Sequence, residues 1–311
     1  MIKDLKSGEK GNAPFYCHRV TESTTKTGKL FQSVTLRDSS GSINAKVWDV
    51  ERNGVKEGEY YAVQYSVQEY AGSLQLIIES IAVLDKESIN PADFYPTSKY
   101  NVYSMLNDII AVLNTVQNKW LQKLLSQFCN NEELLKLYEN ASAAVDVHHA
   151  FVGGLVQHTR AILKMAVTAA GLYDGVDRDL LLTAAFFHDV GKLKEISAFP
   201  ENKFTAFGVL IGHVTLSALA VEHWCERIDG FPADLKIKLM HCILAHHGEL
   251  EWGSPVKPAL KEAIILSMLD NLDAKMGIYE ETLEKGGGRS FQLGTTVLDE
   301  EGMLCIAQDL Y

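Results

Sequence analysis

The sequence predicts two domains of different class, a small closed all-β barrel followed by an all-α helical bundle. Three observations carry this. Residues 1–88 alternate apolar and polar positions with a period of two. An aperiodic stretch containing Pro91 and Pro96 follows. From Asn101 onward the apolar residues recur at steps of three and four, the helical spacing. At 311 residues the chain is long enough for each half to bury its own core.

In Lys29–Arg37, Leu30, Val34 and Leu36 fall on one face, with Gln32 as a polar exception; Phe31, Ser33, Thr35 and Arg37 fall on the other. A turn at Asp38–Gly41 follows. Ile43, Ala45 and Val47 then share one face, and Asn44, Lys46 and Trp48 the opposite one. Strands at Tyr60–Val67 and Leu74–Val83 are joined across Ala71-Gly72. With Phe15–Thr21 they make five, which suits a Greek-key barrel of the OB type. The stretch from Lys86 to Tyr100 reads as a linker. Val102, Met105, Ile109, Leu113, Val116, Trp120, Leu124 and Phe128 then trace one amphipathic helix. Further helices are expected near 132–139, 149–171, 178–190, 208–228, 233–247 and 258–279. Gly286-Gly287-Gly288 breaks the pattern. The expected bounds are therefore 1–88 for the barrel, 89–100 for the linker, 101–285 for the helical domain and 286–311 for a tail of mixed pattern.

Net charge is −11, against strong general affinity for nucleic acid, which needs Lys and Arg at the phosphates. Residues 1–90 are close to neutral, so most of the negative charge lies beyond them. Five scattered cysteines without a CxxC pair argue against a disulfide framework or zinc ribbon and fit a reducing cytoplasm. No apolar run is long enough to span a bilayer, and the polar N-terminus is unlike a signal peptide.

The chemistry concentrates in the helical half. The run Leu180–Phe187 is strongly apolar except for Thr183 and ends on His188-Asp189-Val190-Gly191-Lys192. An ionised Asp there is costly unless it is paired or binds a metal. His beside Asp offers the nitrogen and oxygen that first-row divalent ions accept. Gly191 is expected to relax the backbone, and Lys192 to place a cation near a bound phosphate. Asp270 poses the same problem inside Ile264–Leu272, and His158 lies in another apolar helix after Gly153-Gly154. His213 follows Gly212, and His246-His247 precede Gly248 near an expected helix end. Any one such histidine is most simply a packing residue, and His18, His148, His223 and His241 are read as surface or packing residues. The ordered set on successive helices is hard to explain by packing.

In order and context the set resembles the HD-domain metal-dependent phosphohydrolase superfamily, with its H…HD…H…H…D pattern, over roughly residues 145–280. The resemblance implies that His158, His188, Asp189 and Asp270 ligate one divalent ion. A bridging Asp189 with His213 and His246 would hold a second, His247 being an extra ligand. Mn²⁺ is favoured, with Co²⁺ and Fe²⁺ acceptable to the same donors. A narrower likeness, to the YhaM-type 3′→5′ exoribonucleases of bacteria, spans nearly the whole chain. It rests on the barrel's length and on His148–Thr159, His246-His247-Gly248-Glu249 and Asp270–Lys275. The near-neutral barrel half is a departure.

This likeness implies hydrolysis of single-stranded RNA, and by extension single-stranded DNA, from the 3′ end to nucleoside 5′-monophosphates. Asp189 would sit at the reacting centre, and Lys192 would stabilise transition-state charge. His149 is read as a phosphate ligand or general acid, or alternatively as a helix-start histidine. The barrel would bind the strand through Phe31, Arg37, Lys46 and Trp48, or these aromatics would pack under a loop or against the helical domain. A cytoplasmic protein with no membrane partner is expected, and a homo-oligomer is compatible with this reading. Competing readings are a nucleotidase or cyclic-dinucleotide phosphodiesterase with the barrel used for assembly, a nucleic-acid-binding protein with a vestigial metal site, and an oxygenase holding a di-iron pair.

Overall fold

The computed structural model describes residues 1–70, 72–86, 88–145, 149–284, 288–290, 293 and 295–297. His148, Ala71, Gly286, Gly287, Cys305 and most of the expected tail lie outside them. The chain divides into two compact units: Met1–Thr97 with Phe199–Glu201, and Ser98–Ala198 with the residues from Asn202 on.

The first unit is the five-stranded barrel. Its elements are β1 (Lys10–Thr24), β2 (Leu30–Asp38), β3 (Gly41–Val47), α1 (Val50–Asn53), β4 (Tyr60–Tyr70) and β5 (Ser73–Val83). The strands close in the order β1-β2-β3-β5-β4, with β3 and β5 parallel and β1 returning antiparallel to β4. This is the OB arrangement. The alternation seen in sequence sets the faces: Val34, Leu36, Ile43, Ala45 and Val47 point into the core with Phe15, Val63 and Leu76. Gln32 is buried among them because its amide is satisfied. Its Oε1 accepts from Val55 N at 2.9 Å, and its Nε2 donates to Val55 O and to Glu22.

The second unit is helical: α2 (Val102–Leu113), α3 (Lys119–Cys129), α4 (Glu132–Asn140), α5 (Gly154–Leu172), α6 (Arg178–Phe187), α7 (Lys192–Glu195), α8 (Ala206–Leu210), α9 (His213–Glu226), α10 (Ala233–Leu244) and α11 (Lys261–Glu284). A two-stranded sheet of β6 (Gly288–Ser290) and β7 (Thr295–Val297) follows. The one helix expected over Val102–Phe128 is two. Its periodicity survives across the break because Val116 is buried in the loop. Asn118 caps α3 by accepting from Trp120 N and Leu121 N, and the Asp179 carboxylate takes the loop amides of Gln117 and Asn118. The 208–228 helix is likewise split, into α8 and α9, at Gly212, whose φ is 77°.

α6 lies at the centre. Leu180 through Phe187 are all buried, and a helix apolar on every side must be enclosed by its neighbours. Phe128 of α3 packs edge-on against Phe186, Phe187 and Trp224. The turn after α6 therefore delivers His188 and Asp189 into the interior, 0% and 2% exposed. Among the described residues no helix is long and apolar enough to cross a membrane.

Candidate metal centre

Six of the expected ligands converge on Asp189, which distributes its two oxygens. Oδ2 faces His158 Nε2 at 3.5 Å and His188 Nε2 at 3.4 Å. Asp270 Oδ1 closes that group, 3.2 Å from His158 Nε2 and 3.7 Å from His188 Nε2. Oδ1 faces His213 Nε2 at 3.5 Å and His246 Nε2 at 3.8 Å. His247 joins this second group, its Nε2 3.2 Å from that of His213.

The backbone geometry behind this convergence is specific. Gly191 has an ordinary φ of −62°, so the expected relaxation of the backbone is corrected: its role is space. A Cβ there would lie 2.3 Å from His213 O and 2.7 Å from Ser217 N. Only glycine lets the start of α9, and with it His213, come up to Asp189. On the far side, His246 and His247 lie in the turn after α10, which Gly248 closes at φ 82°.

Every ring in the cluster is oriented from behind. His188 Nδ1 donates to Ala185 O at 2.9 Å, His246 Nδ1 to Ile243 O at 2.6 Å and His247 Nδ1 to Trp252 O at 3.1 Å. A carbonyl only accepts, so each of these rings carries a proton on Nδ1 and turns its Nε2 inward. His158 Nδ1 meets Asp273 Oδ2 at 2.7 Å and His213 Nδ1 meets Glu195 Oε1 at 2.9 Å. Such partners are the usual supports of metal-binding imidazoles.

Electrostatics lead to the same site. Burial alone would raise the Asp189 pKa, but the Lys192 ammonium at 2.7 Å and the adjacent histidines hold it well below the carboxylate range. Burial keeps His246 and His247 neutral. His158 is the opposite case: burial disfavours its charge, yet Asp270 and Asp273 push it up to about 10. Asp189 Oδ1 is buried without a hydrogen-bond donor. A buried carboxylate oxygen with no donor, ringed by inward-facing lone pairs, fits a divalent cation and is costly without one.

Lys192 opens with His158, Asp189, His246, His247 and Asp270 onto a cavity of about 180 Å³. His149 is not at a helix start, since α5 begins at Gly154. It stands in the preceding segment with φ 62°, buried, its Nε2 3.0 Å from Asp273 Oδ2. Asp273 and Glu195 were missed in sequence. Asp273, one turn after Asp270 on α11, offered a signal. Glu195 offered none, because only the packing of α7 against α9 brings it to His213.

In the barrel, a groove of about 390 Å³ runs past Arg19, Ser33, Asn44, Lys46 and Tyr70. Of the four residues expected to bind the strand, Lys46 alone lines it, and its Nζ donates to Ser33 Oγ. Phe31 and Trp48 pack on each other, centroids 5.0 Å apart, and the Lys46 ammonium lies over the Phe31 ring. Trp48 keeps 42% of its surface exposed. Arg37 donates to Ser42 and stands apart from the groove-lining set. Arg19 and Tyr70 were not expected; Tyr70 lies beyond the anticipated end of its strand.

The HD domain family matches residues 155–275, and the OB-fold nucleic acid binding domain family matches residues 17–84. The chain is 35% identical over 282 residues to the 3′-5′ exoribonuclease YhaM of Bacillus pumilus (strain SAFR-032), covering 86% of this chain and 87% of that one. It is 34% identical to the proteins of that name from Geobacillus sp. (strain WCH70), with 91% and 88% covered, and Bacillus subtilis (strain 168), with 85% of each.

Proposed function

We propose, from the premise that this chain belongs to the YhaM family of 3′-5′ exoribonucleases, that it hydrolyses single-stranded RNA from the 3′ end at a two-ion centre. The observation that carries the reading is the division of Asp189 between two histidine groups. Its Oδ2 with His158, His188 and Asp270 would hold one divalent ion; its Oδ1 with His213, His246 and His247 would hold the other. Mn²⁺ suits these donors, as do Co²⁺ and Fe²⁺. When bound, the ions supply Lewis acidity at the phosphate and bring the pKa of water toward about 7.

The chain's own groups do the rest. Lys192, kept charged by Asp189, places a cation on the cavity wall where negative charge grows in the transition state. Asp273 and Glu195 hold His158 and His213 in orientation. His149 reaches toward the same centre through Asp273 and is the group for a terminal phosphate or a departing oxygen. Cleavage of the P–O3′ bond by water releases a nucleoside 5′-monophosphate and leaves a new 3′-hydroxyl for the next round. The barrel groove, with Arg19, Lys46 and Tyr70 beside Trp48, retains the strand between rounds; unstructured DNA offers the same backbone and bases. The domain functions follow bounds of 1–88, 89–100 and 101–285. Free Cys17, Cys129, Cys225 and Cys242 suit a cytoplasmic setting.

The test is purified protein with Mn²⁺ and 5′-labelled single-stranded RNA, beside mononucleotides and cyclic dinucleotides. A ladder shortening from the 3′ end, with 5′-monophosphates released, is the expected result. Cleavage confined to the small molecules would overturn the reading. Asp189→Ala should abolish activity.

A further inference from the structure

We propose that the outer face of α11 joins two copies of this chain, antiparallel, about a two-fold axis near Leu272. α11 is 24 residues long. Its inner face buries Ala263 and Leu266 and carries Asp270 and Asp273 to the centre. Its outer face shows a ridge at every fourth residue: Ile264, Met268, Leu272 and Met276, exposed by 48%, 64%, 48% and 48%. Tyr279 flanks the ridge, and Leu172 and Tyr173 extend the apolar surface at the end of α5. Between α5 and α11 runs a groove of about 950 Å³. Single exposed apolar residues are ordinary, but a continuous ridge beside an apolar groove is the surface of an interaction site.

The charges at its two ends select the occupant. Lys261 stands at the N-terminal end of α11 and lines the groove, which Lys164 lines from α5 while paired with Asp108 at 3.3 Å. Glu280, the next position of the ridge, is exposed at the other end. A two-fold rotation lays each lysine end against the glutamate end of the other copy, so the face is its own complement. A parallel arrangement would oppose like charges. Lys261 Nζ donates to Asp174 O at 2.7 Å and keeps two N–H donors for a partner. The two-fold axis places the closest approach at the middle of the ridge, with the charged ends of the two helices alongside each other. Because Asp270 and Asp273 lie on the same helix, the contact would brace the helix that completes the metal centre.

The experiment measures the mass of the full chain in solution by light scattering at about 50 μM. Wild type should show at least twice the 34.5 kDa chain mass. Met268→Glu should halve the observed mass while circular dichroism and metal content stay as in wild type. Lys261→Glu should weaken association about ten-fold, and adding Glu280→Lys should restore most of it. Leu272→Cys should give a disulfide-linked dimer on mild oxidation that wild type lacks. A monomeric wild type, a Met268→Glu protein of unchanged mass, no recovery in the charge-reversed double variant, or no Leu272→Cys dimer would each overturn the proposal.

Discussion

Asp273 accepts from His158 Nδ1 at 2.7 Å, and the same oxygen lies 3.0 Å from His149 Nε2. One carboxylate thus aims a candidate ligand at the metal and ties down a second histidine held at positive φ. Asp273→Asn keeps the shape but removes the charge that makes His158 a better donor. Loss of such a support typically costs about 10–100-fold in metal affinity. We expect that range for one of two ions in a Co²⁺ titration followed by its absorption, with the fold intact by circular dichroism. Unchanged affinity for both ions would remove Asp273 from the centre.

Glu195 makes the matching prediction for the second group. Its Oε1 accepts from both His213 N and His213 Nδ1 at 2.9 Å, and the carboxylate is held below its usual pKa despite burial, because His213 and Lys192 are close. Glutamine can still accept at that position; alanine cannot. Glu195→Gln should therefore weaken the second ion only a few-fold, whereas Glu195→Ala should weaken it by about 10–100-fold. Equal losses in the two variants would mean that the side chain fills space rather than orienting the ring.

The candidate site was legible in sequence because His188, Asp189 and Asp270 sit in strongly apolar stretches, where polar groups need a partner. The barrel was legible because period-two alternation maps directly onto its inner and outer faces. The pieces that escaped depend on tertiary proximity. Val102 to Phe128 kept helical spacing through a real break, since Val116 stays buried in the loop. Gly191 looked like a source of flexibility, but it makes room for His213 O. Glu195 could not be singled out until α7 and α9 were packed together. Phe31 and Trp48 were placed on the outer side of the barrel, but nothing in the alternation showed that they would pack on each other.

The Phe31–Trp48 pair bears on substrate length. Trp48 remains partly exposed and sits with the Lys46 ammonium above its partner ring, near a groove lined by Arg19. A stacked base contributes about 1–3 kcal/mol. Trp48→Ala should raise KM for a 20-nucleotide RNA by about 5–150-fold while leaving dinucleotide hydrolysis as it was. Arg19→Ala should lower the salt dependence of RNA binding by about one phosphate contact, measured by fluorescence anisotropy across ionic strengths. If both variants bind and degrade long RNA like wild type, the barrel does not hold the strand.

Metal removal should be visible in stability as well as in activity. Asp189 Oδ1 is buried with no hydrogen-bond donor, and the Nε2 atoms of His158 and His188 lie 3.1 Å apart, those of His213 and His247 3.2 Å. A ligand that binds only the folded chain stabilises it by about 2.7 kcal/mol when present at a hundred times its dissociation constant. Adding Mn²⁺ at that level to chelator-treated protein should therefore raise Tm by several degrees, and nucleolysis should return with it. Asp189→Asn supplies an amide that can donate where the carboxylate could not, so the metal-free variant should melt no lower than metal-free wild type. The same variant should lose most of the Mn²⁺-induced rise, because it removes the one group shared by both sets of histidines. A full rise in Asp189→Asn, read by scanning calorimetry, would mean that the ions are held without the bridge.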